Sequence, residues 1–187
     1  VCAALDYDFS GPLQFDASVK GLPLAALPRS LPEGASILGV INASANGSLV
    51  NREVNATANL QIDGLALVAT FEGDEVAARF EEASVSANVV DNRLAGEFEF
   101  RLDNGTDQAV GNLTIDDLFD PGSSIAGGGS LEFNDLALAS FFAPELSNPV
   151  GRIFGRLDVS GSLTAPEFAG ELGLSNGSVD IRRAGVS

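Results

Sequence analysis

The sequence predicts an all-β protein built mostly from antiparallel strands. Polar and apolar residues alternate along most of its length, as in Gly151 to Ile181, where Leu157, Val159 and Leu163 share one parity and Arg156, Asp158, Ser160 and Ser162 the other. Side chains alternate faces along a strand, so this spacing gives one apolar and one polar face. Turn signals recur roughly every 8 to 14 residues, and long amphipathic helical patterns are missing. Many apolar-parity positions are small: Ala43, Ala56, Ala58, Ala69, Ala87, Gly96, Gly111 and Gly170.

In chain order, Tyr7 and Phe9 alternate with Asp6 and Asp8. Gly11-Pro12 breaks that run, and Leu13, Phe15, Ala17 and Val19 resume it. Leu24, Leu27 and Leu31 then stand at helical spacing, with Pro28 and Pro32 limiting any helix to about one or two turns. Ile37, Gly39, Ile41 and Ala43 form the next strand. Asn46-Gly47 is predicted as a hairpin turn, because a type I′ turn needs positive φ at both central residues. Val54 to Ile62 follows, then a predicted turn at Asp63-Gly64, then Leu65, Leu67, Ala69 and Phe71 with Gly73-Asp74 closing. Phe80 leads to Ala83, Val85, Ala87 and Val89, turned by Asp91-Asn92. Leu94, Gly96, Phe98, Phe100 and Leu102 lead to Asn104-Gly105, and Ala109, Gly111, Leu113 and Ile115 follow.

Asp116 to Gly129 reads as the longest interruption, with a turn at Asp120-Pro121-Gly122 and flexibility at Gly127-Gly128-Gly129. Leu131 and Phe133 restart the sheet, and Leu136 to Pro149 is predicted to be partly helical through Leu138, Phe141, Phe142 and Leu146. Beyond Pro166 the strand phase restarts at Phe168, Gly170, Leu172 and Leu174, and Asn176-Gly177 is predicted to turn the chain into Val179 and Ile181. The segments around Gly21–Ala43 and Asp135–Val159 resemble one another. A single elongated domain over 1–187 with two loosely similar units, about 1–115 and 130–187, is expected.

Bulk properties narrow the function. Of 187 residues, 26 are acidic and 10 basic, a formal net charge of -16, yet 45% are hydrophobic. Such a surface repels phosphate backbones, so no nucleic-acid partner is expected. High acidity joined to net hydrophobicity argues for segregated faces rather than disorder. There is no histidine and one cysteine, Cys2, so Ser-His-Asp and Cys-His catalysis and cysteine-built metal sites are excluded. Glu81-Glu82 and Asp116-Asp117 are close carboxylate pairs without a cleft-forming signal. Asp116, Asp117 and Asp120 lack the order of a calcium loop, and no phosphate-binding glycine motif opens a helix. No enzyme activity, metal or cofactor is expected. N-x-[ST] triplets occur at Asn42, Asn46, Asn55, Asn104, Asn112 and Asn176; three precede glycine, where a turn explains them. The start at Val1 and the stop after a strand-like run suggest a piece of a longer protein.

Apolar faces of this kind pack on one another in a closed sandwich or barrel, or they line an open surface. Small residues and the absence of Trp and Met count against a closed core. A continuous sheet of about 14 strands at roughly 4.8 Å each would extend on the order of 65 Å. Curled, it would leave a slot able to receive a hydrocarbon chain, at about 0.8 kcal/mol per buried methylene. Candidate lining residues are Phe15, Val19, Ile41, Leu60, Ile62, Leu67, Phe71, Phe80, Val85, Val89, Phe98, Phe100, Leu113, Leu157, Val159, Leu163, Phe168, Leu172 and Leu174.

Gly161-Ser162-Leu163, Pro166, Phe168, Gly170, Leu172, Leu174, Asn176-Gly177 and Val179, with the preceding Leu/Pro segment and Gly155, form a run that resembles the C-terminal region of the TamB family, the translocation and assembly module subunit within the AsmA-like bridge proteins. The motif covers about 30 residues; elsewhere the likeness is one of texture. The resemblance implies a long sheet folded along its length into a U-shaped trough, a β-taco, with a hydrophobic interior groove and one or two short helices. It implies a periplasmic part of a protein anchored in the inner membrane of Gram-negative bacteria by a segment not included here. It further implies a TamA-like (BamA-type) outer-membrane barrel as partner, phospholipid acyl chains as cargo, and support of outer-membrane protein assembly. The readings that compete are a lipid conduit, a chaperone-like module that holds unfolded outer-membrane proteins by β-augmentation, and a closed sandwich or solenoid adhesin.

Overall fold

A computed structural model describes residues 2–7, 13–27, 34–71, 74–134, 136 and 146–181, with 2–7, 71, 74–76, 146–149 and 179–181 described by backbone alone. Ten strands follow one another: β1 Cys2–Tyr7, β2 Leu13–Pro23, β3 Ala35–Val50, β4 Glu53–Phe71, β5 Asp74–Val90, β6 Arg93–Leu102, β7 Gln108–Ile115, β8 Ile125–Phe133, β9 Leu146–Ser162 and β10 Ala165–Ile181. They form one antiparallel sheet in sequence order, β1 through β10, with β1 and β10 at opposite edges. The sheet is long, curved and open, the trough that the residue pattern and the resemblance predict. Among the described residues no second sheet packs on it, so the closed-sandwich alternative is overturned.

The strands are fewer and longer than the turn signals suggest, because three of those signals lie inside strands. Asn46-Gly47 sits in mid β3, opposite Asp16-Phe15 on one side and Thr57-Ala56 on the other. The Asn46 Oδ1 accepts from Thr57 Oγ1 at 3.1 Å, and a Cβ on Gly47 would lie 2.8 Å from the Phe15 ring. The glycine makes room for an aromatic ring instead of a turn. The hairpin itself falls at Asn51 and Arg52, both at positive φ (50° and 72°). Asp63-Gly64 is a bulge within β4, with Gly64 at φ 62°. Asn176, at φ 51°, marks a register shift in β10 rather than a turn, and β9 and β10 connect through Leu163-Thr164.

Other expectations hold. Asp91 and Asn92 have φ of 50° and 70°, the geometry of a type I′ turn. The Asn104 Oδ1 accepts from the amides of Thr106 and Asp107 and closes the β6–β7 turn. Ser123 N donates to Asp120 O at 2.9 Å across Pro121-Gly122. Gly127-Gly128-Gly129, expected to be flexible, instead forms the middle of β8. A Cβ on Gly128 would lie 2.9 Å from the Leu157 carbonyl oxygen, so these glycines let β8 fit between β7 and β9.

The first predicted helix is a single 3₁₀ turn, Leu24–Ala26. Of the second, Leu136 is buried, while Leu146 to Pro149 belong to β9 and not to a helix. Residues 137–145, Phe9, Gly11-Pro12, Gly73 and the prolines at 28 and 32 lie outside the described residues, as does the side chain of Phe71.

A line of irregularities crosses β2 to β6. Register shifts separate Val19 from Leu22, Leu38 from Val40 and Phe80 from Glu82, and Gly64 lies level with them in β4. A bulge adds one residue, so the inside–outside phase is preserved across an odd step and the strand bends. Ile62 and Leu65 therefore share a face despite odd spacing. The principal core lies on this line: Leu24, Leu65 and Ala83, with Ile37, Ile41, Ile62, Phe80 and Phe100 packed against them.

Candidate functional site: the apolar face of the trough

Direct cross-strand partners share a face, so the registers sort the apolar residues into rows across the strands. One row runs Ala17, Ala45, Ala58, Ala87, Gly96, Leu113, Gly127, Val159, Phe168. The next runs Val19, Ala43, Leu60, Val85, Phe98, Gly111, Gly129, Leu157, Gly170. A third, on β5 to β10, contains Ala83, Phe100, Ala109, Leu131, Gly155 and Leu172. Phe15 and Val89 flank the first row, and Ile153 and Leu174 continue beyond the third.

Two apolar hollows open on these rows. One, about 330 Å³, lies over β2 to β5 between Ala17, Val19, Ala43, Ala45, Ala58, Leu60, Val85 and Ala87. The other, about 450 Å³, lies over β6 to β10 between Phe98, Ala109, Leu131, Leu157, Phe168 and Leu172, floored by Gly129, Gly155 and Gly170. They share the Val19–Gly170 row and succeed one another along the sheet. Alanines and glycines make the floor, and larger side chains stand up around it. The Phe98 ring lies against Gly111 and within 3.5 Å of where a Cβ on Gly129 would be. Val85 is 40% exposed, Phe168 66% and Leu172 75%. Exposing such side chains forfeits burial worth about 1.5–3 kcal/mol each, and contiguous exposed apolar surface marks a binding region.

Of the predicted lining residues, Val19, Leu60, Val85, Phe98, Leu157, Phe168 and Leu172 border these hollows. Phe15, Val89, Leu113, Val159 and Leu174 lie on the same face. Ile41, Ile62, Leu67, Phe80 and Phe100 lie on that face too, but Ile41, Ile62, Phe80 and Phe100 pack into the core at the bulge line. Leu163 stands apart, in the β9–β10 connection, where its amide donates to Ser123 O at 3.1 Å. Leu131 and Ala109 were missed by the residue pattern although both keep the right parity. Leu24 and Leu65 were missed because the bulge at Gly64 and the fold-back of the 3₁₀ turn are tertiary features.

The opposite face is polar. Hollows open there too; one of them, about 750 Å³, is bordered by Ser84, Ser86, Glu97, Glu99, Asn112, Ser130, Arg156 and Asp158. Here charges pair locally: Arg156 with Asp158 at 3.3 Å, Arg152 with Glu132 at 2.8 Å, and Arg101 with Glu99. The Glu99 hydrogen bond and charge hold Arg101 above its usual range. At one end of the sheet the Asp116–Ser124 loop ties three connections together. Leu118 N donates to Asn92 O, and Ser123 O and Pro121 O accept from Leu163 N and Thr164 Oγ1. The Asp117 and Asp120 carboxylates accept from the amides of Phe119 and Gly122, so both brace their own loop. Among the described residues no group of three acidic or cysteine side chains is arranged to hold a metal ion, and no helix is long and apolar enough to cross a membrane.

An open sheet of this kind, with an apolar face, a charged back and an interior of small residues, defines a trough-shaped all-β domain. A family model described as TamB, N-terminal domain, matches residues 1–174. The chain belongs to the TamB family. The family is the one the Gly161–Val179 run suggested, though the matched domain carries the N-terminal description rather than the C-terminal one. Membership ties the chain to the translocation and assembly module, a membrane-associated bridge that functions in outer-membrane protein assembly. No curated protein and no solved structure matches the chain.

Proposed function

We propose that this chain is a periplasmic stretch of a bridge between inner and outer membranes, and that its apolar face carries phospholipid acyl chains alongside a TamA-like outer-membrane barrel. The observation that carries the reading is the succession of the two apolar hollows on one shared row of residues. A chain lying there trades water for hydrocarbon along its whole length, at about 0.8 kcal/mol per methylene. The small floor residues leave space that bulky ones would fill. The acidic surface, net -16, keeps the protein off anionic bilayers and leaves the groove as the place where lipid is held. No side chain need react with the cargo, which fits a chain without histidine and with its carboxylates spread over solvent.

Photo-crosslinking probes at Phe98 and Leu157 test this, with outward-facing Glu97 as control. Labelled phospholipid captured at the first two and not at the third is the expected result. Equal capture at all three, or none, removes the basis for a conduit. A second reading rests on β10, Ala165–Ile181, whose outer edge has no described neighbour. That edge could accept a strand of an unfolded outer-membrane protein by β-augmentation. Proline on that edge would block strand addition and leave lipid capture intact.

A further inference from the structure

The two hollows meet at β6, and one aromatic ring stands at the joint. Both open on the space between the first two rows: over β2 to β5 between Ala58 and Leu60, over β9 and β10 between Phe168 and Leu157. On β6 the same two rows hold Gly96 and Phe98. A chain passing from one hollow to the other therefore goes between Gly96 and Phe98.

The Phe98 ring leans away from that passage. It lies along its own row, over Gly111 on β7 and as far as Gly129 on β8. A Cβ on Gly111 would lie 2.6 Å from the Phe98 Cζ, and a Cβ on Gly129 would lie 3.5 Å from it. The ring thus takes the place of two side chains that the row lacks, and the space beside the row stays clear. On the side of the third row the Phe100 ring lies 6.1 Å away, centroid to centroid. On the side of the passage Gly96 presents no side chain, and a Cβ there would have no neighbour nearer than 3.6 Å. Phe98 is 39% exposed, so contact with the glycine seat holds it rather than burial. Two χ1 rotamers are common in strands, and an exposed side chain exchanges between them within nanoseconds.

Resting on the lipid reading above, we propose that Phe98 gates the joint between the two hollows and that Gly111 holds the gate open. Seated over Gly111 and Gly129, the ring leaves the passage free for lipid. Rotated out over Gly96, it fills the space between the first two rows and divides the groove in two. A Cβ at position 111 displaces the ring toward the passage, because Phe100 bounds the other side. Gly111 is a positioning residue: it acts on the lipid through Phe98.

The test places photoreactive residues at Leu60 and Leu157 together in the full-length chain, which is irradiated with dioleoyl phosphatidylcholine vesicles. Five strand spacings, roughly 24 Å, separate the probes, a span that one such lipid and the two probe side chains cover together. In the otherwise unaltered chain, mass spectrometry after proteolysis finds peptides of β4 and β9 joined through one lipid. Gly111→Ala lowers that bridged product about tenfold, equivalent to 1.4 kcal/mol, while single adducts persist at both probes. Adding Phe98→Ala to Gly111→Ala restores the bridge, which a loss of packing alone does not do. Bridging that is unchanged in folded Gly111→Ala, or that stays low in the double variant, overturns the gate. A Cβ on Gly111 would also lie 2.8 Å from the Gly128 carbonyl oxygen, so a second measurement uses no substitution. In the lipid-loaded chain, nuclear Overhauser effects join the Phe98 ring protons to the α-protons of Gly111 and Gly129; their loss on loading overturns the seated ring as the open state. Single adducts without a bridge in the otherwise unaltered chain overturn the passage and leave lipid binding standing. Adducts at neither probe overturn both.

Discussion

Val85 and Leu65 occupy neighbouring strands on one face but do opposite work. Leu65 is buried in the core at the bulge line, and Val85 is 40% exposed on the rim of a hollow. Val85→Asp therefore costs little stability, within about 0.5–1 kcal/mol, because its side chain keeps access to water. Leu65→Ala removes packed methylenes and costs about 2–4 kcal/mol. Urea unfolding separates the two, and the aspartate variant, though folded, loses lipid capture at Phe98. Asp107 is the fully buried carboxylate among the described residues. Its Oδ1 accepts from Asn134 N at 2.9 Å, from Asn134 Nδ2 at 3.0 Å and from Thr106 Oγ1 at 3.1 Å. This clasp fastens the β6–β7 turn to the end of β8. Asp107→Ala leaves those donors without that acceptor and lowers stability by about 1–3 kcal/mol, read from the unfolding midpoint.

Hairpins and bulges carry the next level. The β3–β4 turn uses Asn51 and Arg52 at positive φ, a conformation that costs an L-residue about 1–2 kcal/mol and glycine almost nothing. Arg52 is exposed, so Arg52→Gly removes that cost and raises the melting temperature by a few degrees. A drop on substitution would mean that the arginine makes a compensating contact. Three Asx-Gly pairs that look like turns belong to strand interiors instead. At Gly47 the vacancy above the backbone houses the Phe15 ring; at Gly64 positive φ builds a bulge; at Asn176 the bulge is carried by the asparagine itself. A dipeptide that favours a turn also favours a bulge, since both need the same left-handed backbone. Strand registers decide between them.

At the scale of the molecule, the single open sheet has no second layer over much of its apolar face among the described residues, and the stability of that part rests on strand pairing and the core around Leu24 and Leu65. The formal charge of -16 is spread over that thin structure, and self-repulsion opposes compaction. Raising ionic strength from about 0.01 M to 0.5 M shortens the screening length from roughly 30 Å to under 5 Å and should raise the melting temperature. A melting temperature that falls with sodium chloride would show that the pairs Arg152–Glu132, Arg156–Asp158 and Arg93–Asp116 outweigh the repulsion.

The alternation of side chains was enough to establish an all-β chain, its two-faced character and most of the groove's lining. Parity is a local property, and a strand cannot place Val85 and Leu157 on the apolar side without displaying it in sequence. The absence of histidine likewise restricts the chemistry from the sequence alone. The number and length of strands were not local. Whether Gly64 turns or bulges depends on what β3 and β5 pair with, and Gly127-Gly128-Gly129 becomes a strand only because β7 and β9 flank it closely. The place of Leu24 was equally out of reach. Its helical spacing with Leu27 predicted a short turn, but only the folded chain lays that turn over Ile41, Ile62 and Leu65, because packing joins residues that sequence distance keeps apart.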